Sequence, residues 1–331
     1  MPNVYISSRG QLSKCDQHFI FKDTEGKAVR ILPVSTDKIL LYEPVSITGE
    51  AFHLLAKYNI PVYIRSFSTN DNMSIQYSSD KNVLVRQQQY RNSNDAQKKL
   101  EISKSIVEGK IKNQLAFIQR IKRTNKESKA FIEKTSSRIK MIQKDVHTCE
   151  SLESLRGFEG FSARLYFEVL GKHIKPDWAV FDKRTKNPPK SNVNAVLSFL
   201  YYLLSEEIEI ALQSENLDCM IGSLHELQPG RKSLVYDLME EFRTPMVDVL
   251  CCKLFNQRQL TENDFAQNRH AMYLTKEGMK KATQSFEAKM KQIIKIGEKE
   301  FPCREIFFIQ ANQYKEVMMG KQDKYIPFLY R

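Results

Sequence analysis

Residues Gly222 to Asp248 read G-S-L-H-E-L-Q-P-G-R-K-S-L-V-Y-D-L-M-E-E-F-R-T-P-M-V-D. Val235, Leu238, Met239 and Phe242 recur at helical spacing and give one helix a buried face, with Ser233 placed to cap it. Asp237, Glu240 and Glu241 fall at i, i+3 and i+4, so one helical edge carries three carboxylates. Like charges that close repel unless water, lysines or a cation separates them. His225 precedes them, three residues past Gly222. On this segment alone two readings stand: a solvated face with a loop histidine, or part of a cation site. Thr244-Pro245 then reads as a break, with Thr as cap and Pro opening a next helix to about Phe255.

A second acidic position lies upstream, in L-R-G-F-E-G-F-S-A-R-L-Y at Leu155 to Tyr166. Glu159 stands between Gly157 and Gly160, where a large ligand can approach closely. Its plain alternative is an acid near a helix N-terminus, favoured by the dipole or paired with Arg156. Glu159, His225, Asp237 and Glu240 together have the donor chemistry for one divalent cation. Carboxylates suit Mg²⁺, and an imidazole in the set shifts preference toward Mn²⁺.

The rest of the helical pattern surrounds these residues. Ile106 to Ile121, Phe131 to Ile142, Leu155 to Leu170 and Val193 to Leu212 each repeat apolar residues at helical spacing. The last is nearly apolar enough to be a central core helix, and Lys276 to Gly297 reads as a basic one. Residues 1 to 80 differ. Short branched and aromatic runs at Val4–Ile6, Phe19–Phe21, Val29–Leu32, Lys38–Tyr42 and Val62–Ile64 read as strands, with Gly10 among the turns between them. One helix is expected from Thr48 to about Tyr58, and Thr69 to Asp80 reads as a polar loop or connector. The expected fold is α+β, strands first and helices after: a small β-rich domain at 1–80, a connector at 81–92, and a larger all-α domain at 93–331.

Charge narrows the partners. The chain of 331 residues carries a net +12. Between Gln97 and His147 stand 14 lysines and arginines against five acids, so most of that excess sits in one helical stretch. This favours a polyanion such as DNA. Arg164, Arg231, Lys232 and Arg243 are further candidates for phosphate contact, though each could equally pair with a neighbouring acid. The six cysteines are scattered without a C-x-x-C pair, which argues against a zinc site or a disulfide framework. Neither a membrane span nor a signal peptide is visible, so the cytoplasm is the expected compartment.

Several motifs together resemble the integrase of CRISPR adaptation, the "Cas one" family. They are G-F-E-G-x-x-A-R-x-Y-F at 157–167, N-A-V-L-S-F-L-Y-Y-L-L at 194–204 and G-x-L-H…R-x-S-L-V-Y-D-L-M-E-E-F-R at 222–243, joined by G-K-I-K-N-Q at 109–114 and the I-P-V-Y-I run in the β-rich start. The likeness spans nearly the whole chain. It implies Glu159, His225 and Glu240 as ligands of Mg²⁺ or Mn²⁺, Asp237 as a supporting catalytic acid, and Glu241 as a surface bystander. It also implies a homodimer formed through the β domains, a small "Cas two" partner, and insertion of short DNA fragments into a CRISPR array. In that reaction a fragment's 3′-hydroxyl attacks a repeat phosphodiester; metal-dependent DNA cleavage is a related activity. Two departures are local. Asn187-Pro188-Pro189 leads to Ser191 where relatives carry Arg-Pro-Pro and an aspartate, and Asn70 to Ser74 replaces a glycine- and tyrosine-marked end of the β domain. The competing class is a non-catalytic, basic helical nucleic-acid-binding protein whose acids are structural.

Overall fold

The computed structural model describes residues 4–41, 43–65, 72–75, 83–124 and 128–330. The chain divides into two compact units, Met1–Lys81 and Asn82–Arg331.

Among the described residues, the first unit holds two four-stranded sheets and one α-helix. In one sheet, β2 (Gly10–Cys15) and β3 (His18–Asp23) form an antiparallel pair. β4 (Ala28–Ile31) runs antiparallel to β3, and β6 (Val45–Ile47) parallel to β2. In the other, β1 (Val4–Ile6), β5 (Ile39–Leu41) and β7 (Val62–Arg65) are parallel, and β8 (Asn72–Ile75) is antiparallel to β7. Helix α1 (Gly49–Lys57) starts as expected, the Thr48 hydroxyl accepting the Ala51 N–H at 3.3 Å. Leu12, Phe19 and Phe21 from one sheet, Ile39, Leu41 and Val62 from the other, and Ala51, Leu54 and Leu55 from α1 form one core.

Two expectations for this unit are corrected. Gly10 opens a strand; a side chain there would collide with the Lys22 carbonyl and the Phe21 ring, so close strand approach explains the glycine. Of the polar run Thr69–Asp80, residues Asn72–Ile75 are a paired strand, because register with β7 supplies the order that their composition does not. The remainder of that run lies outside the described residues.

The second unit is predominantly helical: α2 (Val83–Ser93), α3 (Ala96–Thr124), α4 (Lys129–Thr148), α5 (Leu152–His173), α6 (Asn192–Ser214), α7 (Ser233–Phe242), α8 (Val249–Asn256), α9 (Lys276–Met290) and α10 (Cys303–Met318). It is not wholly α. Two antiparallel ribbons, β9 (Phe265–Asn268) with β10 (Ala271–Leu274) and β11 (Ile293–Ile296) with β12 (Lys299–Pro302), flank α9. The basic helix expected to reach Gly297 therefore ends at Met290, and Ile293–Ile296 pairs instead as a strand with β12. Helix α3 packs on α4, α5 and α7, and α6 lies centrally against α7 and α10. Ile106, Ile111 and Ile118 of α3 and Val196, Leu200 and Leu204 of α6 are fully buried.

The opening stretch also differs from its sequence pattern. Thr244-Pro245 does not break the helix: Arg243–Asp248 forms a turn of π-helix that runs on into α8. The wider turn accommodates a residue with no N–H to donate. Thr244 does not cap, and its hydroxyl donates to Asp248 at 3.2 Å. Ser233 does not cap either; its hydroxyl donates to the Glu226 carbonyl at 2.8 Å and ties the preceding loop to the helix.

Candidate functional site

Glu159, His225 and Glu240 line one open cavity of about 560 Å³ in the helical unit. Each arrives from a different element. Glu159 lies well inside α5, whose first turn is capped by the Ser151 hydroxyl, so a dipole at the helix start does not account for it. Arg156 is not its partner. That guanidinium donates to the Leu224 carbonyl at 2.8 Å and pairs with Glu226 at 2.6 Å, fixing the loop that carries His225.

The loop closes on Asp237, which is fully buried. Its Oδ2 accepts the backbone N–H groups of Ser223 and Leu224 at 2.5 and 2.9 Å, and Oδ1 accepts that of His225 at 2.9 Å. Oδ1 also faces His225 Nδ1 at 2.7 Å. A carboxylate in that position holds the proton on Nδ1 and leaves Nε2 as the free nitrogen. Gly222 permits this closure, because a Cβ there would stand 2.6 Å from Asp237 Oδ2 and 2.8 Å from the Ser233 carbonyl carbon.

Glu240 and Glu159 share a cation that the sequence did not single out. Lys110 of α3 is 5% exposed, and its ammonium bridges Glu159 Oε1 and Glu240 Oε2. Burial works against the lysine's charge, but Glu159 and Glu240 outweigh it and hold its pKa above the ordinary value. On the other side Arg243 Nε lies 3.0 Å from Glu240 Oε1 and its guanidinium covers the Tyr201 ring at 4.7 Å. Burial raises the Glu240 pKa, yet Arg243 and Lys110 pull it far below the carboxylate range. Behind them Asp248 accepts from Tyr166 at 2.8 Å and Tyr201 at 2.5 Å. Buried among these neutral donors, Asp248 has a raised pKa.

Among the described residues, no three His, Cys, Asp or Glu side chains stand at common ligand distance. The donor set nevertheless fits a hard divalent ion. Two carboxylates already converge on a cation, the Lys110 ammonium, and an imidazole on the same cavity keeps one nitrogen uncommitted.

The four basic candidates separate. Arg164 lines the cavity and lies over Phe161 at 5.0 Å. Arg243 also lines it, held by Glu240. Lys232 pairs with buried Glu209 at 2.6 Å, and Arg231 lies over Tyr236 at 6.0 Å. Glu241 is no surface bystander. It is fully buried and accepts from Tyr325 and the Phe328 N–H, both at 2.6 Å, and from Gln310 at 3.2 Å. Sequence reasoning also missed Lys110, Tyr166, Tyr201 and Asp248, although all four lie inside stretches quoted above.

A family model described as CRISPR associated protein Cas1 matches residues 4–288. The chain belongs to the Cas1 family. A CRISPR-associated endonuclease Cas1 of Leptospira interrogans serogroup Icterohaemorrhagiae serovar Lai is 35% identical over 265 residues, 75% of this chain and all of that relative. One from Moorella thermoacetica is 26% identical and spans 99% of this chain and 98% of its own. The Cas1 fold is shared with a solved Cas1 protein of Thermotoga maritima, at a TM-score of 0.85 and 20% identity over 98% of this chain and 99% of that one. A casposase bound to integration product is similarly close, at a TM-score of 0.86 and 22% identity over 100% of this chain and 95% of that one. Among the described residues no helix is long and apolar enough to cross a membrane.

Proposed function

We propose that this Cas1-family chain is a divalent-metal-dependent DNA endonuclease and integrase acting in the cytoplasm. It inserts short double-stranded DNA fragments into a CRISPR array through attack of a fragment 3′-hydroxyl on a repeat phosphodiester. The observation that carries this reading is the shared cation: Glu159 and Glu240 converge on Lys110 in the cavity that His225 also lines. The relatives' names, which include endonucleases, support it, as do the likenesses to a casposase bound to integration product and a Cas6-RT-Cas1–Cas2 complex.

Glu159, His225 and Glu240 would hold Mg²⁺ or Mn²⁺, which would offset developing phosphate charge and lower the pKa of an attacking or leaving hydroxyl. The chain's own residues set the stage for that chemistry. Asp237 fixes the imidazole through Nδ1 and leaves Nε2 available on a residue that lines the cavity. Arg243 keeps Glu240 ionised. Lys110 compensates the two carboxylates and can turn to a phosphate oxygen once another cation takes over that role. Arg164 lines the cavity wall with no carboxylate partner among the described residues, which leaves its charge for the DNA backbone. As partners we propose a second copy of the chain, joined through the β-rich unit, and a small Cas2 protein.

The test is strand transfer and cleavage of labelled duplex DNA with Mg²⁺ or Mn²⁺, comparing the wild type with Glu159→Ala and His225→Ala. Both variants should lose product while still binding DNA. Unchanged product would instead support a basic DNA-binding protein with structural acids.

A further inference from the structure

Helix α2 carries a buried amide that the proposed chemistry does not use. Gln89 is 1% exposed, and its side chain is committed to the turn 218–221, which leads into Gly222. Its Nε2 donates to the Asp218 and Ile221 carbonyls, both at 2.9 Å, and its Oε1 accepts the Asp218 N–H at 2.8 Å. The neighbouring Tyr90 donates its phenol to Asp218 Oδ2 at 2.7 Å. On the other side of the turn the Cys219 carbonyl accepts the Leu234 N–H at 3.0 Å, in the first turn of α7. Ser223, Leu224 and His225 follow directly, their N–H groups closed on Asp237. The Ser223 hydroxyl also meets the buried Tyr314 phenol of α10 at 3.1 Å.

A turn packed against the protein needs partners for its backbone groups, and a single side chain that serves both of its ends does more than satisfy them. It sets the distance between those ends and the direction in which the chain leaves toward Gly222. Gly222 has no room to absorb a change, since a Cβ there would already stand 2.6 Å from Asp237 Oδ2 and 2.8 Å from the Ser233 carbonyl carbon. A displaced turn therefore carries the loop, and the imidazole on it, along. Neither Gln89 nor Tyr90 lines the cavity that His225 lines. We propose that both are positioning residues for His225: α2 holds the turn, and the turn sets where the imidazole stands. Helix α2 is also the first helix of the second unit, so this brace joins the start of that unit to the loop of its site. The inference rests on the reading of His225 as a metal ligand.

Amide hydrogen exchange in EDTA and Mn²⁺ affinity by electron paramagnetic resonance test it on the full chain. Gln89→Met keeps the side chain's length and removes its amide. Tyr90→Phe removes one bond from an exposed ring and carries the test should the first variant not fold. The control is Asn92→Ala on the same helix, whose amide donates to the Met318 carbonyl of α10 at 2.8 Å and not to the turn. Gln89→Met should speed exchange at Ser223, Leu224 and His225 relative to the amides of α6. It should weaken Mn²⁺ binding about tenfold, the lower end of the range for a supporting partner. Tyr90→Phe should do both to a smaller extent, and Asn92→Ala neither, whatever its melting temperature. Wild-type exchange and affinity in Gln89→Met and Tyr90→Phe, or equal effects in Asn92→Ala, would overturn the brace. The two readings fail separately. Faster exchange in Gln89→Met with no Mn²⁺ bound by the wild type would keep the brace and reject the metal site. Equal Mn²⁺ binding by all four proteins would keep the metal site and reject the brace.

Discussion

Glu240 and Glu241 are adjacent on one helix, both buried, and their surroundings drive them in opposite directions. Glu240 faces the cavity between Lys110 and Arg243, whose charges overcome burial and hold its pKa far down. Glu241 faces the other way, onto the C-terminal segment, where its partners are a phenol, an amide and a backbone N–H. Those donors only partly offset burial, and its pKa rises to about 8. The same residue type therefore does two jobs one position apart. A carboxylate surrounded by cations is a place for another cation; a carboxyl surrounded by neutral donors is a clasp. The clasp is extensive. Asn113 of α3 donates to the Glu241 and Phe328 carbonyls at 2.8 and 2.9 Å and accepts the Tyr330 N–H at 2.9 Å. Phe328 stacks on Phe242 at 5.3 Å.

The sharpest way to break this contrast is to mutate each side. Glu240→Ala should lower metal-dependent strand transfer by about a thousandfold, since a bound metal supplies several kcal/mol of charge stabilisation. Its thermal melt should fall as well, because Lys110 and Arg243, both largely buried, lose a shared carboxylate, so the readout is activity per folded molecule. Glu241→Ala should act mainly on stability. It strands a phenol, an amide and a backbone N–H in the interior, costing about 3 kcal/mol. For a unit of this size that is a drop of roughly 6–12 °C in the melting temperature, read by circular dichroism. Activity per folded molecule should fall much less. If Glu241→Ala kept its stability and lost its activity, the two roles would be wrongly divided.

Asp237→Asn sharpens the cavity side. The amide preserves shape but no longer holds a proton on His225 Nδ1, and such supporting partners are worth about 10–100-fold in metal affinity or activity. Mn²⁺ binding followed by electron paramagnetic resonance should weaken by that factor. Unchanged binding would make Asp237 a purely structural loop closure, since its backbone hydrogen bonds to Ser223, Leu224 and His225 would still account for it.

What was legible in the sequence follows from how far apart the interacting groups lie along the chain. Local patterns carried the strands, the long helices and the Thr48 cap, because those depend on residues within a turn or two. The resemblance to the Cas1 family singled out Glu159, His225 and Glu240, and these three line one cavity. Their surroundings were not legible. Lys110 reaches Glu159 across 49 residues and Tyr325 reaches Glu241 across 84, so nothing near either acid announced its partner. Local rules also misled where tertiary bonds won. Ser233 and Thr244 looked like caps, but Glu226 and Asp248 took their hydroxyls. Three carboxylates on one helical edge looked like one group, whereas Asp237 serves the loop, Glu240 the cavity and Glu241 the clasp.

Gly109 offers the mildest test of whether cavity and clasp are mechanically linked. It precedes Lys110 in the middle of α3, and a Cβ there would run into Pro327 of the C-terminal segment, with the Glu241 Cβ at 3.7 Å. In Gly109→Ala two terms oppose each other. Alanine should favour the helix by about 1 kcal/mol, whereas forcing a methyl into a packed interior costs typically 1–3 kcal/mol. The clash is with a proline ring in a segment tied by Asn113 and Glu241, which cannot give as a flexible side chain would, so the packing cost should win. The net loss should be about 1 kcal/mol, a fall of roughly 2–4 °C in melting temperature. If the displaced segment shifts only the clasp, Mn²⁺ affinity stays at the wild-type value. If it shifts Lys110 as well, affinity falls alongside stability, and the division between the two neighbouring glutamates becomes one of chemistry rather than of mechanics.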